Sequence, residues 1–267
     1  MSMLFHKQHK PVIGVVHLLP LPGSPRWSGN LDPVIEHAVV DAKAYEQGGA
    51  DAVIIENFWD APFAKTSIDP ETLAAMSVAG ATVSDAVKIP IGFNVLRNDA
   101  RSALALCVAC GGAFVRVNVH SGAMLTDQGI IEGDAYHTIR LRKQLCPNVT
   151  LLADVHVKHA VPLGNCGIAE AARDTLERGG ADALIVSGKG TGLAADIQDV
   201  ERVRRSCPEA QILLGSGVTA DNVGEFLQLA DGVIVGTSLK RSGKISNPVD
   251  LKRVTELVRA VRTSAKA

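Results

Sequence analysis

The chain has 267 residues, 46% hydrophobic and 21% charged, with a formal net charge of −1. That length suits one large core and the usual size of a single (β/α)8 barrel. The near-neutral balance and the lack of a basic block argue against nucleic acid as main partner, no apolar run reaches transmembrane length, and the opening MSMLFHKQHK has no apolar signal core, so a cytoplasmic protein is expected.

Residues 1–10 read as an extension, and Val12–Val16 as the first strand, ending at His17. The Pro- and Gly-rich LLPLPGSPRWSGN that follows is too long for a plain connection, and long loops in compact domains tend to bind or cover a ligand. Asp32 begins a helix through Gln47, with Pro33 at its start. Ala52–Glu56 is the second strand, and Asn57–Asp69 a second long loop carrying Phe58, Trp59 and Phe63. A helix over Pro70–Val87, a strand over Ile91–Val95, a helix over Asp99–Cys110 and a strand over Ala113–Val119 come next. Cys107 and Cys110 have C-x-x-C spacing, but the stretch is apolar and no second pair exists, so buried thiols are the better reading than zinc or redox chemistry.

His120–Gly133 reads as a third long loop, Ala135–Leu145 as helix, Thr150–Val155 as the fifth strand, Val157–Gly167 as loop and Ile168–Arg178 as helix. Ala183–Ser187 is the sixth strand, and Gly188–Gly192 leads to a helix near Asp196–Arg205. Ile212–Leu214 and Val233–Val235 are the seventh and eighth strands, with a helix over Asp221–Leu229 between them. Residues 249–267 carry a last amphipathic helix, whose basic face is read as solvated. A repeated grammar supports the count: GGADAVII, GGAFVRV, GGADALIV and LADGVIVG each close a helix with small residues and open a strand. Eight strand-first βα units predict one closed parallel barrel over 1–267, with a doubly wound open sheet as the alternative.

Two glycine turns end the last two strands, Gly215-Ser216-Gly217 and Gly236-Thr237-Ser238. Glycine lets backbone N–H groups approach a ligand, and in barrels the loops after the last two strands commonly hold a phosphate. Those six residues are the candidate phosphate site, although any tight βα turn favours glycine.

Alternation along each strand sorts the remaining polar residues. His17, Glu56, Asn94, Asn118, Asp154, His156 and Ser187 all fall at strand ends on the inward parity, so they ring one mouth. Asp154 and Glu56 are candidate acid–base carboxylates with His17 and His156 as partners, since carboxylate and neutral imidazole exchange protons near pH 7. Asn94, Asn118, Ser187 and Lys189 are candidate substrate contacts. Other readings fit the same residues. Arg116, below Asn118, can pair structurally with either carboxylate. His17 and His156 can be hydrogen-bonded core residues. Asp154, His156 and His159 resemble a metal cluster, but His159 has the wrong parity, so no cofactor or metal is assigned. Lys158 and Lys189 lie where a Schiff-base lysine reaches a barrel mouth, or serve as plain anion partners.

Taken together, PVIGVVHLLPLPGSP, GGADAVIIENFWDAPF, IGFNVLRND, VRVNVHSG, LLADVHVKHA and GSGVTADNV…DGVIVGTSLK resemble the BtpA family from about Pro11 to Lys240. The resemblance implies a ribulose-phosphate-binding-like (β/α)8 barrel. The family takes its name from a cyanobacterial protein connected with photosystem I accumulation, and similar proteins occur in organisms without photosynthesis. It carries over no catalytic residue. The expected function is an enzyme acting on a small phosphorylated molecule. The alternative is a non-enzymatic assembly factor of the photosystem I biogenesis type. The apolar segments Leu18–Pro25 and Phe58–Phe63 at the mouth add the expectation of a homo-oligomer.

Overall fold

The structure is a computed structural model and describes residues 10–188 and 190–264. In chain order its strands are β1 (Val12–His17), β2 (Ala52–Glu56), β3 (Ile91–Asn94), β4 (Phe114–Val117), β5 (Ala123–Thr126), β6 (Gly129–Glu132), β7 (Thr150–Val155), β8 (Ala160–Pro162), β9 (Ala183–Val186), β10 (Gln211–Leu214) and β11 (Gly232–Val235). The helices are α1 (Asp32–Gln47), α2 (Pro70–Ala86), α3 (Ala100–Cys110), α4 (Ala135–Leu145), α5 (Ile168–Arg173), α6 (Ile197–Ser206), α7 (Val223–Phe226) and α8 (Leu251–Ser264). Eight strands close a parallel barrel in the order β1-β11-β10-β9-β7-β4-β3-β2. The open-sheet alternative is thereby excluded. Among the described residues, no helix is long and apolar enough to cross a membrane.

The barrel strands are buried on both faces, which is why they read as continuous apolar runs. Val12, Val16, Val53, Ile55, Val115, Leu151 and Leu184 face the helices, while Ile13, Ile54, Phe114, Leu152, Ile185, Leu213 and Ile234 fill the barrel interior. Glycine makes two of these contacts possible. A Cβ on Gly92 would lie 2.4 Å from the Phe114 ring, and one on Gly14 would lie 2.3 Å from the Tyr45 ring. Tyr45 thus seats α1 against β1, and its hydroxyl donates to the Val15 carbonyl at 3.1 Å. α8 closes the ring of helices with Val254, Leu257 and Val261 buried, and Arg262 binds both oxygens of Asp51 at 2.8 Å. Asp41 on α1 forms a fully buried ion pair with Lys240 and accepts from the Val249 amide at 2.8 Å.

Three expectations need correction. The stretch His120–Gly133 is not plain loop: β5 and β6 form a hairpin, and β8 adds a third antiparallel strand from within Val157–Gly167. Its signal was present, since apolar Met124-Leu125 and Ile130-Ile131 flank Asp127-Gln128-Gly129, and Gly129 takes φ +89°. Met124, Ile131, Val119 and Val157 form a small core beneath this sheet. The helix expected over Asp221–Leu229 spans only Val223–Phe226, because Gln228 and Leu229 bond to residues three back and tighten into turns. The mouth segment Leu18–Pro25 is not an apolar surface, because Leu18 and Leu21 are fully buried. The two C-x-x-C thiols are separate and buried, donating to the Phe114 and Ser77 carbonyls, and burial pushes the Cys107 thiol up.

Candidate active site at the carboxyl-terminal mouth

Strand register sets the site. His17 pairs with Glu56 in the β1–β2 ladder, and Glu56 pairs with Asn94 in the β2–β3 ladder. Cα partners in a parallel sheet present side chains to the same face, so three polar groups stand side by side above the apolar interior. Arg116 on β4 and Asp154 on β7 complete the inner layer, both buried.

Beneath the mouth, Asp154 is the hub of a closed network. Arg116 grips it bidentately, Nε to Oδ2 at 2.8 Å and a terminal nitrogen to Oδ1 at 2.9 Å. Asn118 donates to Oδ2 at 3.0 Å and the Ser187 hydroxyl to Oδ1 at 3.1 Å. Asn94 donates to Asn118 and to the Arg116 carbonyl, both at 3.0 Å. Burial alone disfavours the Arg116 charge, but Asp154 outweighs it and holds the guanidinium above its ordinary range. Fork geometry of this kind is the strong form of an ion pair. Ser187 and Asn118 thus serve Asp154.

Above this floor lies a cavity of about 310 Å³. His17, Glu56, Arg116 and Lys158 line its base, and Gly215–Gly217, Gly236–Ser238, Thr219 and Arg253 line its far end. All six residues of the two glycine turns therefore border one space. The amides of Ser216, Gly217, Thr237 and Ser238 bond to no other group among the described residues. The two serine hydroxyls are engaged, Ser216 with the Leu193 carbonyl and the Gly188 amide and Ser238 with the Val218 carbonyl. An anion here would meet N–H groups, the Thr237 side chain and the Arg253 guanidinium. Gly217 takes φ +65°, and a Cβ on it would lie 2.1 Å from the Ala194 amide nitrogen, so only glycine fits.

A second cavity of about 490 Å³ shares Glu56, Lys158 and Thr191 with the first. Phe58, Trp59, Phe63 and Leu96 form its apolar wall; Asn94, Asn118, Arg97, Arg26 and Asp127 are its polar part. Phe58 also packs on His17, ring centroids 4.7 Å apart, and Arg26 lies over Trp59 at 5.4 Å. His17 is 4% exposed and its imidazole forms no hydrogen bond among the described residues, Nδ1 being buried without a partner there. Burial first, then the Lys240 and Lys158 charges, hold the imidazole well below its usual range, so it is neutral at pH 7.

Two sequence expectations fail here. Asp154 does not open into either cavity: its carboxylate has no exposed surface and is sealed by Arg116, Asn118 and Ser187. His156 borders neither cavity. Its φ of +53° ends the extended chain, so the alternation that pairs it with Asp154 stops one residue short. Among the described residues no cluster of His, Cys, Asp and Glu forms a metal site, and the Asp154–His156–His159 grouping is not assembled. Lys189 lies outside the described residues. Lys158, left open between two roles, faces both cavities, and Arg97, Arg253, Thr191 and Thr219 were missed. Arg97 sits on a loop, where no periodicity reports direction, and Arg253 on the basic face of α8, which sequence alone reads as solvated.

Comparison with known proteins agrees with this architecture. The N-(5′-phosphoribosyl)anthranilate isomerase of Pyrococcus furiosus superposes with a TM-score of 0.57 at 15% identity, covering 96% of this chain and 100% of that one. A structure described as native KDPGal superposes with a TM-score of 0.62 at 16% identity, covering both chains fully. At these identities the likeness is one of fold. In sequence, the photosystem I biogenesis protein BtpA of Synechocystis is 48% identical over 259 residues, 97% of this chain and 90% of that protein. The BtpA family profile matches residues 8–263. The chain belongs to the BtpA family.

Proposed function

We propose that this protein is an enzyme acting on a small phosphorylated metabolite, a sugar phosphate or nucleotide fragment. Its phosphate sits between the Gly215–Gly217 and Gly236–Ser238 turns. The observation that carries this reading is the pairing, in one cavity, of four unengaged amides at one end with an unpaired buried carboxylate at the other. Glu56 is 3% exposed and has no hydrogen-bond or ion-pair partner among the described residues. A fold gains nothing from an isolated buried carboxylate, which is costly unless something binds it. Glu56 is assigned as general acid or base, with neutral His17 beside it to accept or share the proton. Asn94, whose Oδ1 is buried without a partner among the described residues, and Asn118 offer hydrogen bonds to substrate hydroxyls. Asp154 acts one step removed, by fixing Arg116. The isomerase above, which shares this fold, is named for a phosphoribosyl compound, an analogy at the level of fold.

The test is a titration with inorganic phosphate and ribose 5-phosphate, read by thermal shift and calorimetry. A ligand at one hundred times its Kd adds about 2.7 kcal/mol of stability. Thr237→Glu, which sets a carboxylate at the half-buried turn, is expected to abolish the shift while leaving the unliganded melt near wild type. No shift with either ligand, or an equal shift in the variant, overturns the reading. The name of the Synechocystis relative favours a second reading, a non-enzymatic assembly factor. Such a factor does not need the Glu56 carboxylate, so Glu56→Gln would retain its biological role, whereas the enzyme would lose about 10²-fold or more in turnover.

A further inference from the structure

Three residues border both cavities: Glu56, Lys158 and Thr191. A ligand anchored at the glycine turns and reaching the aromatic chamber must pass them with its middle carbons. Within this waist the chemistry is uneven. Asp154 and Arg116 satisfy one another, whereas the Lys158 amine, like the Glu56 carboxylate, has no hydrogen bond or ion pair among the described residues. Charges of both signs surround it: Arg116 lies in the first cavity and Arg97 in the second, and Glu56 borders both. The backbone of Lys158 is fixed: its carbonyl accepts from Arg97 at 2.6 Å, and Val157 before it is buried in the small core. His156 and His159 on either side take φ +53° and +58°, the left-handed region that non-glycine residues avoid. The chain thus turns out of strand geometry just where Lys158 enters the cavity.

Resting on the phosphate reading above, we propose that Lys158 is the nucleophile of this site, that it forms an imine with the substrate, and that the substrate is a phosphorylated aldehyde or ketone. Burial first, then Arg116 and Arg97, push the amine below its ordinary range, against the opposing pull of Glu56 and Asp154. A lysine so placed is more readily deprotonated, as imine formation requires.

The step balances. The Glu56 carboxylate takes a proton from the Lys158 ammonium, and the free amine adds to the carbonyl carbon. A C–N bond forms as the C–O π bond breaks, and Glu56 returns its proton to the oxygen. Glu56 then removes a second proton from nitrogen and delivers it to the hydroxyl, which leaves as water. The ammonium and the carbonyl have become a protonated imine and one water, with Glu56 again ionised. The cationic nitrogen then draws electrons from the adjacent carbon, which favours proton abstraction or carbon–carbon cleavage there. Hydrolysis of a phosphate ester would need no such nitrogen, so the proposal narrows the reaction class.

The test is borohydride trapping with glyceraldehyde 3-phosphate and with unphosphorylated glyceraldehyde, read by intact mass and peptide mapping. The expected result is one reduced adduct per chain, on the peptide holding Lys158, suppressed by excess inorganic phosphate when the probe is phosphorylated. Lys158→Arg keeps a cation but cannot form the adduct, and its phosphate-induced thermal shift should persist. Lys158→Met, with its melt checked, gives the same loss of adduct without the cation. An adduct spread over surface lysines and unchanged in both variants, or no adduct from either probe, overturns the proposal. Trapping of glyceraldehyde 3-phosphate at Lys158 without protection by phosphate would uphold the nucleophile and overturn the anchor. A phosphate-induced thermal shift without trapping would do the reverse.

Discussion

Asp154 and Glu56 end inward-facing strands of the same barrel, and both are buried, yet their surroundings are opposite. Both oxygens of Asp154 are filled, by Arg116, Asn118 and Ser187. Glu56 stands between a neutral imidazole and an asparagine, facing open cavity. Two residues alike in sequence position therefore carry different physics. A satisfied charge fixes geometry, and an unsatisfied one is available to a ligand. The same contrast separates the buried pair Lys240–Asp41, which ties the last barrel loop to α1, from Lys158, which has no hydrogen-bond or ion-pair partner among the described residues.

Removing one side of the satisfied network gives the largest expected effect. Asp154→Ala leaves the Arg116 guanidinium buried and alone, with a loss of about 3–5 kcal/mol, measured by urea or thermal melts. A melt within a degree or two of wild type would break the comparison and return Asp154 to the list of groups facing substrate.

An intermediate effect is expected from His17. Its folded-state affinity for a proton lies below that of the unfolded chain, whose imidazoles titrate near 6.5. The unfolded state then binds more protons in mildly acid solution, so stability is full above about pH 6.5 and falls as pH drops below it. The slope is at most about 1.4 kcal/mol per pH unit for one proton. His37, His120, His156 and His159 are shifted in the same direction by burial and add to the slope. The measurement is the pH dependence of unfolding for wild type against His17→Gln. The variant should be flatter between pH 6.5 and 5, and equal slopes would mean that His17 is charged in the folded protein.

The smallest effect sharpens the comparison most. The cost of burying the Glu56 carboxylate and its attraction to the Arg116, Lys158 and Arg97 charges oppose one another, so Glu56→Gln should change stability by less than about 1 kcal/mol in either direction. Chemical denaturation checks this. A loss of several kcal/mol would show that Glu56 has a structural partner after all.

Much of this protein was legible in its sequence, for identifiable reasons. Parallel strands buried on both faces leave continuous apolar runs, and eight of them, four opened by the same small-residue grammar, specify a closed barrel. Strand alternation selected His17, Glu56 and Asn94, because it persists to the last residue of β1, β2 and β3. The glycines of the last two turns marked a place where backbone comes close to a ligand. Tertiary structure alone decided how charges are shared. Nothing in the order of residues says that Arg116 reaches Asp154, on the neighbouring strand β7, rather than Glu56, two strands away on β2; strand stagger decides which carboxylate the guanidinium meets. Alternation failed at His156, where a left-handed residue ended it and Lys158 took the inward direction instead. Arg97 and Arg253 came to the mouth from a loop and from a helix far along the chain, brought there by packing rather than by any local pattern.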